Sequence, residues 1–408
     1  MDGSQEAALK QHLIDPEICI RCNTCEATCP IGAITHDDNN YVVDAGTCNH
    51  CMDCVAPCPT GAIDNWFLVA APFSIAEQFS WQELPPRPPA ASEIGEPVDA
   101  LDDEAAALIA EAHKGAGGAV RAPASASKPR VNLFNRGTPA IAKVTGNIRV
   151  TKAGTGSDAH HIILDFGTVA FPVLEGQSIG VVPPGTDANG RPHAMRLYSI
   201  CSARDGERPN TNNLALTVKR VVETRPDGAV FRGVASNFLC DLALGDEVRV
   251  VGPFGATFLM PDDADADILM LCTGTGAAPF RGFTERRRRL ASQGRGKLHL
   301  FFGARTPQEL PYFGPLQKVP ASVLEQHLVF SRLPDAPKEY VQDRLRTRGA
   351  EVAALLQKDT THLYVCGLRG LESGVEEALA AIGREHGIEW PALRATMRAQ
   401  GRYHVETY

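Results

Sequence analysis

Between residues 131 and about 260, short apolar or alternating runs recur at 162–166, 178–182, 214–222 and 247–251. Glycine and proline punctuate them, as in Pro183-Pro184-Gly185 and Gly252-Pro253-Phe254-Gly255. That spacing predicts a closed antiparallel β-barrel. After Asp267 the pattern changes. Apolar runs at 268–272, 298–302, 327–330 and 363–366 alternate with helical stretches at 280–292, 340–357 and 374–385. A parallel sheet with crossover helices, a doubly wound α/β domain, is the expectation there.

The first 130 residues read differently. Residues 1–81 hold most of the cysteines. Residues 82–130 run through a proline cluster at 85–89, an acidic and alanine-rich stretch, glycines at 115–118 and prolines again at 123–129. Such text is a linker, with a short helix possible over 99–113. A flexible chain of that length would span about 35–40 Å r.m.s.. It either lets the first unit swing or lies pinned to the surface, and both readings stand. The expected division is therefore 1–81, 82–130, 131–262 and 263–408, a multidomain chain.

Composition removes several function classes. The 408 residues suffice for two or three domains, with 44% hydrophobic and 22% charged residues. A net charge of −8 argues against general nucleic-acid binding. No apolar run approaches the ~18–20 residues needed to cross a bilayer, and residues 66–73, the most apolar short stretch, are expected to pack within the first unit. Residues 1–11 are polar and lack a signal-peptide core. A cytoplasmic, reducing location is expected. The sequence does not fix the oligomeric state, and a homodimer is compatible with it.

Eight of the twelve cysteines form two copies of one motif: Cys19, Cys22, Cys25, Cys29 with Pro30, and Cys48, Cys51, Cys54, Cys58 with Pro59. Both read C-x2-C-x2-C-x3-C-P, the bacterial ferredoxin spacing for two cubane clusters, in which the fourth cysteine serves the other cluster. Cys19, Cys22, Cys25 and Cys58 should hold one [4Fe–4S] cluster, and Cys48, Cys51, Cys54 and Cys29 the second. Residues 19–34 and 48–63 agree at nine of sixteen positions, so the unit is an internal duplication. Zinc ribbons also use C-x2-C pairs, but two tandem triples leave no sensible partition into tetrahedral four-cysteine sites. His36 and His50 are expected as solvated loop residues. Cys201, Cys240, Cys272 and Cys366 are expected as small buried hydrophobes.

Three further motifs carry chemistry. Thr273-Gly274-Thr275-Gly276-Ala277-Ala278-Pro279-Phe280 joins a buried strand to a helix through a glycine turn, a seat for a pyrophosphate. Arg196-Leu197-Tyr198-Ser199 offers a cation, an aromatic face and a hydroxyl. Gly233-Val234-Ala235-Ser236 looks like a helix start and a second anion seat. In Phe330-Ser331-Arg332 an arginine stands where NAD enzymes carry a carboxylate, so a 2′-phosphate, hence NADPH, is expected, with Lys338 adding charge and Tyr340 a face for adenine. The basic run Arg286–Arg289 is read as a solvated helix face, with a docking patch for an acidic partner as the alternative.

Residues 131–408 resemble the ferredoxin–NADP reductase superfamily along essentially their whole length. The runs that carry this are 175–184 (EGQSIGVVPP), Val218-Lys219-Arg220, Gly274 to Phe280, Phe302-Gly303-Ala304-Arg305, 364–372 (YVCGLRGLE) and Val405-Glu406-Thr407-Tyr408. The resemblance implies a FAD-binding barrel followed by an NADP-binding domain. It implies that Arg196 and Ser236 bind the FAD diphosphate. Tyr198 would stack on one flavin face with Ser199 near N5, and Tyr408 would cover the other face, moving aside for nicotinamide. Cys366 and Glu406 would stand near the nicotinamide. Lys219, Gly233, Thr273, Gly274, Gly276, Pro279, Arg305, Gly367 and Glu372 would complete the FAD and NADP sites.

The fused two-cluster unit departs from the simple family. With runs 14–25 (IDPEICIRCNTC) and 59–66 (PTGAIDNW), the arrangement resembles the reductase components of benzoyl-CoA oxygenase systems, the benzoyl-CoA 2,3-epoxidases. That resemblance implies a separate diiron oxygenase partner in aerobic benzoate degradation. The residues alone stop at an NADPH-dependent cluster reductase, and a reductase serving another acceptor or running toward NADPH remains open, because cluster spacing does not set direction.

Overall fold

The computed structural model describes residues 9–408 except 56, 64–65, 86–102, 117–120, 226–227, 291–293 and 335. The polar start of the chain, most of the proline cluster at 85–89 and the last glycines of 115–118 fall outside the described residues.

In the first unit, the strands Leu9–His12 and Trp66–Val69 pair antiparallel, and Ile34–His36 pairs with Tyr41–Val43. Short helices cover Thr24–Thr28 and Ile75–Phe79. The second helix is fixed by a capping box, with Ser74 and Glu77 exchanging backbone hydrogen bonds. The apolar core of this unit is built from Ile14, Ile34, Tyr41, Val43 and Ile63 with the cysteines around them. So small a core is marginal without a staple, and the eight thiols stand where metal would provide one.

The barrel has six antiparallel strands in the order Arg196–Ser199, Ser178–Val181, Glu247–Phe254, Ala140–Arg149, Ala159–Asp165, Asn213–Lys219. A bridge between Ile200 and Leu216 joins the two ends of the sheet, removing its edges. Strand Ala140–Arg149 buries alternate residues from Ala140 to Gly146, as a half-buried strand must. Inward residues such as Val144, Ile162, Leu164, Ile179 and Val250 fill the interior.

The last domain is a five-stranded parallel sheet in the order Leu324–Phe330, Leu298–Ala304, Ile268–Thr273, His362–Gly367, Tyr403–Thr407. Chain order reverses between Ile268–Thr273 and His362–Gly367, and ligands of doubly wound sheets bind at such a switch point. Both faces are covered, one by Leu269, Leu363, Val375 and Leu379, the other by Met270, Phe280, Phe283 and Tyr364.

Three expectations need correction here. The stretch 340–357 is two helices, Val341–Thr347 and Gly349–Leu356, broken at Arg348. Gly349 directly after β-branched Thr347 and Arg348 weakens a continuous helix at that point. Helix Trp390–Ala399 and strand Tyr403–Thr407 were not foreseen, although Trp390, Leu393 and Met397 recur at helical spacing and Pro391 suits a first turn. The run Arg286–Arg289 is neither solvated nor a patch: Arg286 and Arg287 are buried, Arg289 pairs with Asp205, and Arg288 alone is half exposed. The 82–130 segment contains a helix, Asp103–Ala112, which lies against the reductase part of the chain.

Candidate active site

The barrel and the parallel sheet each contribute a pair of facing residues to one cavity of about 260 Å³. Ser178 and Ser199 are register partners in the barrel, and Cys366 and Glu406 are register partners in the parallel sheet. All four line the cavity, together with Arg196 and Tyr408. Tyr408 is held by its backbone: its N–H donates to Gly367 O (3.1 Å) and its carbonyl accepts from Arg369 N–H (3.2 Å). Its hydroxyl meets Thr275 Oγ1 at 2.8 Å, over the glycine turn, and its ring is half exposed. Burial, reinforced by Glu406, pushes the Cys366 thiol well up, so it is neutral. Tyr198 packs its ring against the barrel core, and burial raises its hydroxyl likewise.

The glycine turn is a steric requirement. A Cβ on Gly276 would lie 2.2 Å from the carbonyl oxygen of Cys366, so only glycine lets the helix Ala277–Arg289 start this close to the neighbouring strand. Thr273 and Gly274 form the turn before it, and Pro279 is buried within the helix. Gly233 caps helix Val234–Asp241 without a side-chain bond. Ser236 spends its hydroxyl locally, donating to Gly233 O and accepting from Val221 N–H, both at 3.2 Å. Lys219 ends the adjacent strand and is exposed. These three residues gather beside one another but not on the cavity wall.

The residues expected to select the nucleotide follow the C-terminal ends of two neighbouring strands of the parallel sheet. Ser331 N–H donates to Ala304 O (3.1 Å) and Arg332 N–H to Arg305 O (2.8 Å), which sets the ends of two strands side by side. Arg305, Arg332, Lys338 and Tyr340 are all exposed. Tyr340 precedes helix Val341–Thr347, whose Asp343 accepts its backbone N–H (3.0 Å). Gly367 ends its strand, and Glu372 accepts a hydrogen bond from Gly370 N–H (3.0 Å).

The cysteines separate into two small cavities. One is lined by Cys19, Cys22, Cys25 and Cys58, the other by Cys29, Cys48, Cys51 and Cys54. All are free thiols. Burial pushes Cys25 and Cys48 up to about 11 and Cys51 up to about 12. Buried thiols such as these are stabilised as thiolates by a bound cation, whereas hydrogen bonds from Thr24 already lower Cys22 and, against burial, those from 60–63 lower Cys58. The second set is sheltered, with Cys51 and Cys54 buried, whereas Cys22 is exposed and stands beside exposed Ile18 and Ile20.

The sheltered set sits against the reductase part. Arg286 Nη2 donates to Cys51 O (3.1 Å), and Lys10 Nζ donates to Arg204 O (2.8 Å) while lying 4.2 Å over the Trp66 ring. Arg204 is buried and bonds Glu175 (2.8 Å) and Asp262 (3.0 Å), and Arg286 also reaches Asp262. Burial alone would raise Glu175 and Asp262, but Arg204 and Arg286 outweigh it and hold both below the usual carboxylate range. His50 corrects another expectation. It is buried, bonded to Lys10 O at 3.0 Å, and driven down to about 3 by burial and then by His12 and Lys10. His36 is solvated, with Glu26 at 2.7 Å. Cys201, Cys240, Cys272 and Cys366 are buried, and Cys201 additionally contacts His161 and Tyr312.

Sequence reasoning missed the residues that segment 103–116 brings to the cavity: Leu108, Ile109, Glu111, Ala112 and His113. His113 Nε2 lies 3.1 Å from Glu406 Oε1 across 293 positions, and nothing local announces that pairing. Thr275 was a missed partner of Tyr408. Its place inside the glycine turn was the available signal.

Residues 270–377 match the family described as the oxidoreductase NAD-binding domain, and residues 18–62 match the 4Fe-4S dicluster domain. A ferredoxin–NADP reductase of Thermosynechococcus vestitus is 39% identical over 289 residues, covering 68% of this chain and 75% of that protein. The chain belongs to the ferredoxin–NADP reductase family. A cyanelle ferredoxin–NADP reductase of Cyanophora paradoxa is 40% identical over 288 residues, covering 68% and 79%. A ferredoxin–NADP+ reductase structure from Plasmodium falciparum shares the fold, with a TM-score of 0.55 and 24% identity over 68% of this chain and 99% of that one. As a member of this family the chain is an oxidoreductase, and an iron–sulfur unit precedes its reductase part. Among the described residues no helix is long and apolar enough to cross a membrane.

Proposed function

We propose that this reductase takes electrons from NADPH through FAD and two [4Fe–4S] clusters to a separate protein acceptor, the diiron component of a benzoyl-CoA 2,3-epoxidase. FAD supplies the conversion of a two-electron hydride into single electrons, and the clusters supply one-electron carriage. The residues fit these groups. At the cavity Tyr408 offers an aromatic face, Arg196 a cation, and Ser199 a hydroxyl facing Ser178 across the barrel strands, while Tyr198 lies behind them with its ring against the barrel core. Each cysteine cavity presents four thiols drawn from both halves of the duplicated motif.

In this reading Tyr408 shields the cavity until nicotinamide displaces its ring, which is half exposed and held by its hydroxyl at the glycine turn. Neutral Cys366 allows close approach without repelling a hydride donor. Glu406, at the cavity wall, is placed to hold or release a proton. Arg332, Lys338 and Arg305 bind the 2′-phosphate that distinguishes NADPH. The observation that carries the proposal is the contact of the sheltered cysteine loop with the reductase part through Arg286 and Cys51. The benzoyl-CoA partner rests on the sequence resemblance of the fused arrangement.

The test is anaerobic. Purified chain should carry about eight non-haem irons and one FAD, bleach on NADPH addition, and regain colour when mixed with the diiron component and benzoyl-CoA. Four irons or fewer would remove the two-cluster reading. Bleaching without discharge to that component, but with discharge to another carrier, would replace the partner.

A further inference from the structure

Segment 103–116 forms part of the wall of the cavity, through Leu108, Ile109, Glu111, Ala112 and His113. A ten-residue helix has little stability of its own in water, so tertiary contacts must hold Asp103–Ala112 in place. Ala105 is fully buried with Met195, Val251 and Phe254, and Leu108 and Ile109 pack on the same group. Polar ties then run along its length. Glu104 accepts the Met195 N–H at 3.1 Å and pairs with Arg136. Glu111 pairs with Arg369 at 2.5 Å, and His113 pairs with Glu406 at 3.1 Å. Arg369 and Glu406 are themselves cavity residues. At the far end, a Cβ on Gly115 would come within 3.1 Å of both Glu372 and Val405, so the backbone there lies directly against the parallel-sheet domain.

We propose that residues 103–116 are an inbuilt cover of the flavin cavity, with His113 as the positioning residue for Glu406, so that a protein acceptor from outside the chain reaches the flavin only by displacing this segment. The inference rests on the reading of this cavity as the FAD site. A folded protein cannot enter a space of 260 Å³, so it meets the ring from outside the wall, of which this segment supplies five lining residues. The cysteine unit meets the reductase part at Arg204 and Arg286, neither of which lines the cavity. Cover and cysteine unit therefore do not compete for one surface. The segment commits electrons to the chain's own clusters and excludes foreign one-electron carriers.

The experiment uses the full FAD-loaded chain and a plant-type [2Fe–2S] ferredoxin as the foreign carrier. Leu108→Asp puts a charge into the apolar contact and should free the segment. The expected result is a several-fold rise in iodide quenching of flavin fluorescence and about a tenfold rise in NADPH-driven reduction of that ferredoxin, equivalent to about 1.4 kcal/mol of barrier. Hydrogen exchange reports whether 103–116 has been released. Release without a change in quenching or ferredoxin reduction overturns the cover, as does a wild-type chain that already reduces the ferredoxin at the variant's rate. A chain that binds no FAD overturns the flavin reading itself. For His113, His113→Leu should lower kcat about tenfold at unchanged NADPH KM, the loss of one hydrogen bond to a charged group, and His113→Gln should restore most of it. Equal losses in both variants, or a rise in KM instead, overturn the positioning role.

Discussion

Two groups of arginines in this molecule look alike in sequence and do opposite things. Arg204, Arg286 and Arg289 are buried or nearly so, and each meets a carboxylate: Glu175, Asp262 or Asp205. Arg305 and Arg332, with Lys338, stand exposed at the edge of the parallel sheet. A guanidinium out of water needs a partner for nearly every donor, so the first group is saturated and structural. The second is open to solvent, with Arg305 near Glu309 at 3.9 Å, and such exposed cations suit the phosphate site proposed for them. Density of charge along the chain is therefore a poor guide. Of four consecutive arginines, Arg286 meets the cysteine unit and Arg287 and Arg289 tie the helix to its surroundings, while the three cations proposed for the nucleotide lie 33 positions apart at their extremes.

The sharpest way to break this contrast is Arg286→Ala. It leaves Asp262 and Glu175 buried with one fewer counter-charge and cuts the tie to Cys51, and a loss of about 3–5 kcal/mol is expected. Thermal unfolding and hydrogen exchange around Cys51 would measure it. A melting temperature within a degree of wild type would mean the buried group is not structural. Acid should act on the same group. The folded-state pKa values of Glu175 and Asp262 are depressed, so their contribution is complete above the ordinary carboxylate range near 4 and drains away as pH falls through and below it. Urea midpoints between pH 3 and 7 should fall on the acid side, less steeply in Glu175→Gln; identical slopes would reject this assignment. The exposed group is probed by Arg332→Asp. NADPH KM should rise about 10–100-fold, the equivalent of losing one charge-assisted contact, with NADH little affected. Parallel changes for both nucleotides would remove the 2′-phosphate argument. Arg288→Ala, the half-exposed member of the run, should alter stability by no more than about 0.5 kcal/mol. A larger change would show that the run acts as a unit.

Legibility followed the range of the interactions. The crossed grouping of the cysteines was expected from the duplicated motif, and the two cavities gather the same residues. The barrel and the parallel sheet announced themselves through period and punctuation. Arg196-Leu-Tyr-Ser is a strand of the barrel and the glycine turn follows a strand of the parallel sheet; Tyr408 links them, lining the cavity with Arg196 and Ser199 and bonding Thr275. What stayed hidden depends on contacts across hundreds of positions. His50 looks like any loop histidine until Lys10 and the Leu9–His12 strand cover it. The helix allowed within 99–113 gave no sign of where it docks, because the apolar surface that holds Asp103–Ala112 belongs to Met195, Val251 and Phe254. The run 286–289 misled for the same reason, its carboxylate partners lying at 175, 205 and 262.

The seat of the sheltered cysteine loop also imposes a timetable on the cell. Its floor is assembled from residues 175, 204, 262 and 286, all translated after Cys58. Roughly 230 residues separate the last thiol from Arg286, on the order of 10–45 s of ribosome time. During that interval the nascent thiols are open to the iron–sulfur delivery machinery, and once the arginine emerges one flank is shut. Loading before closure is the economical order of biogenesis, and slow translation between these points would favour the loaded protein.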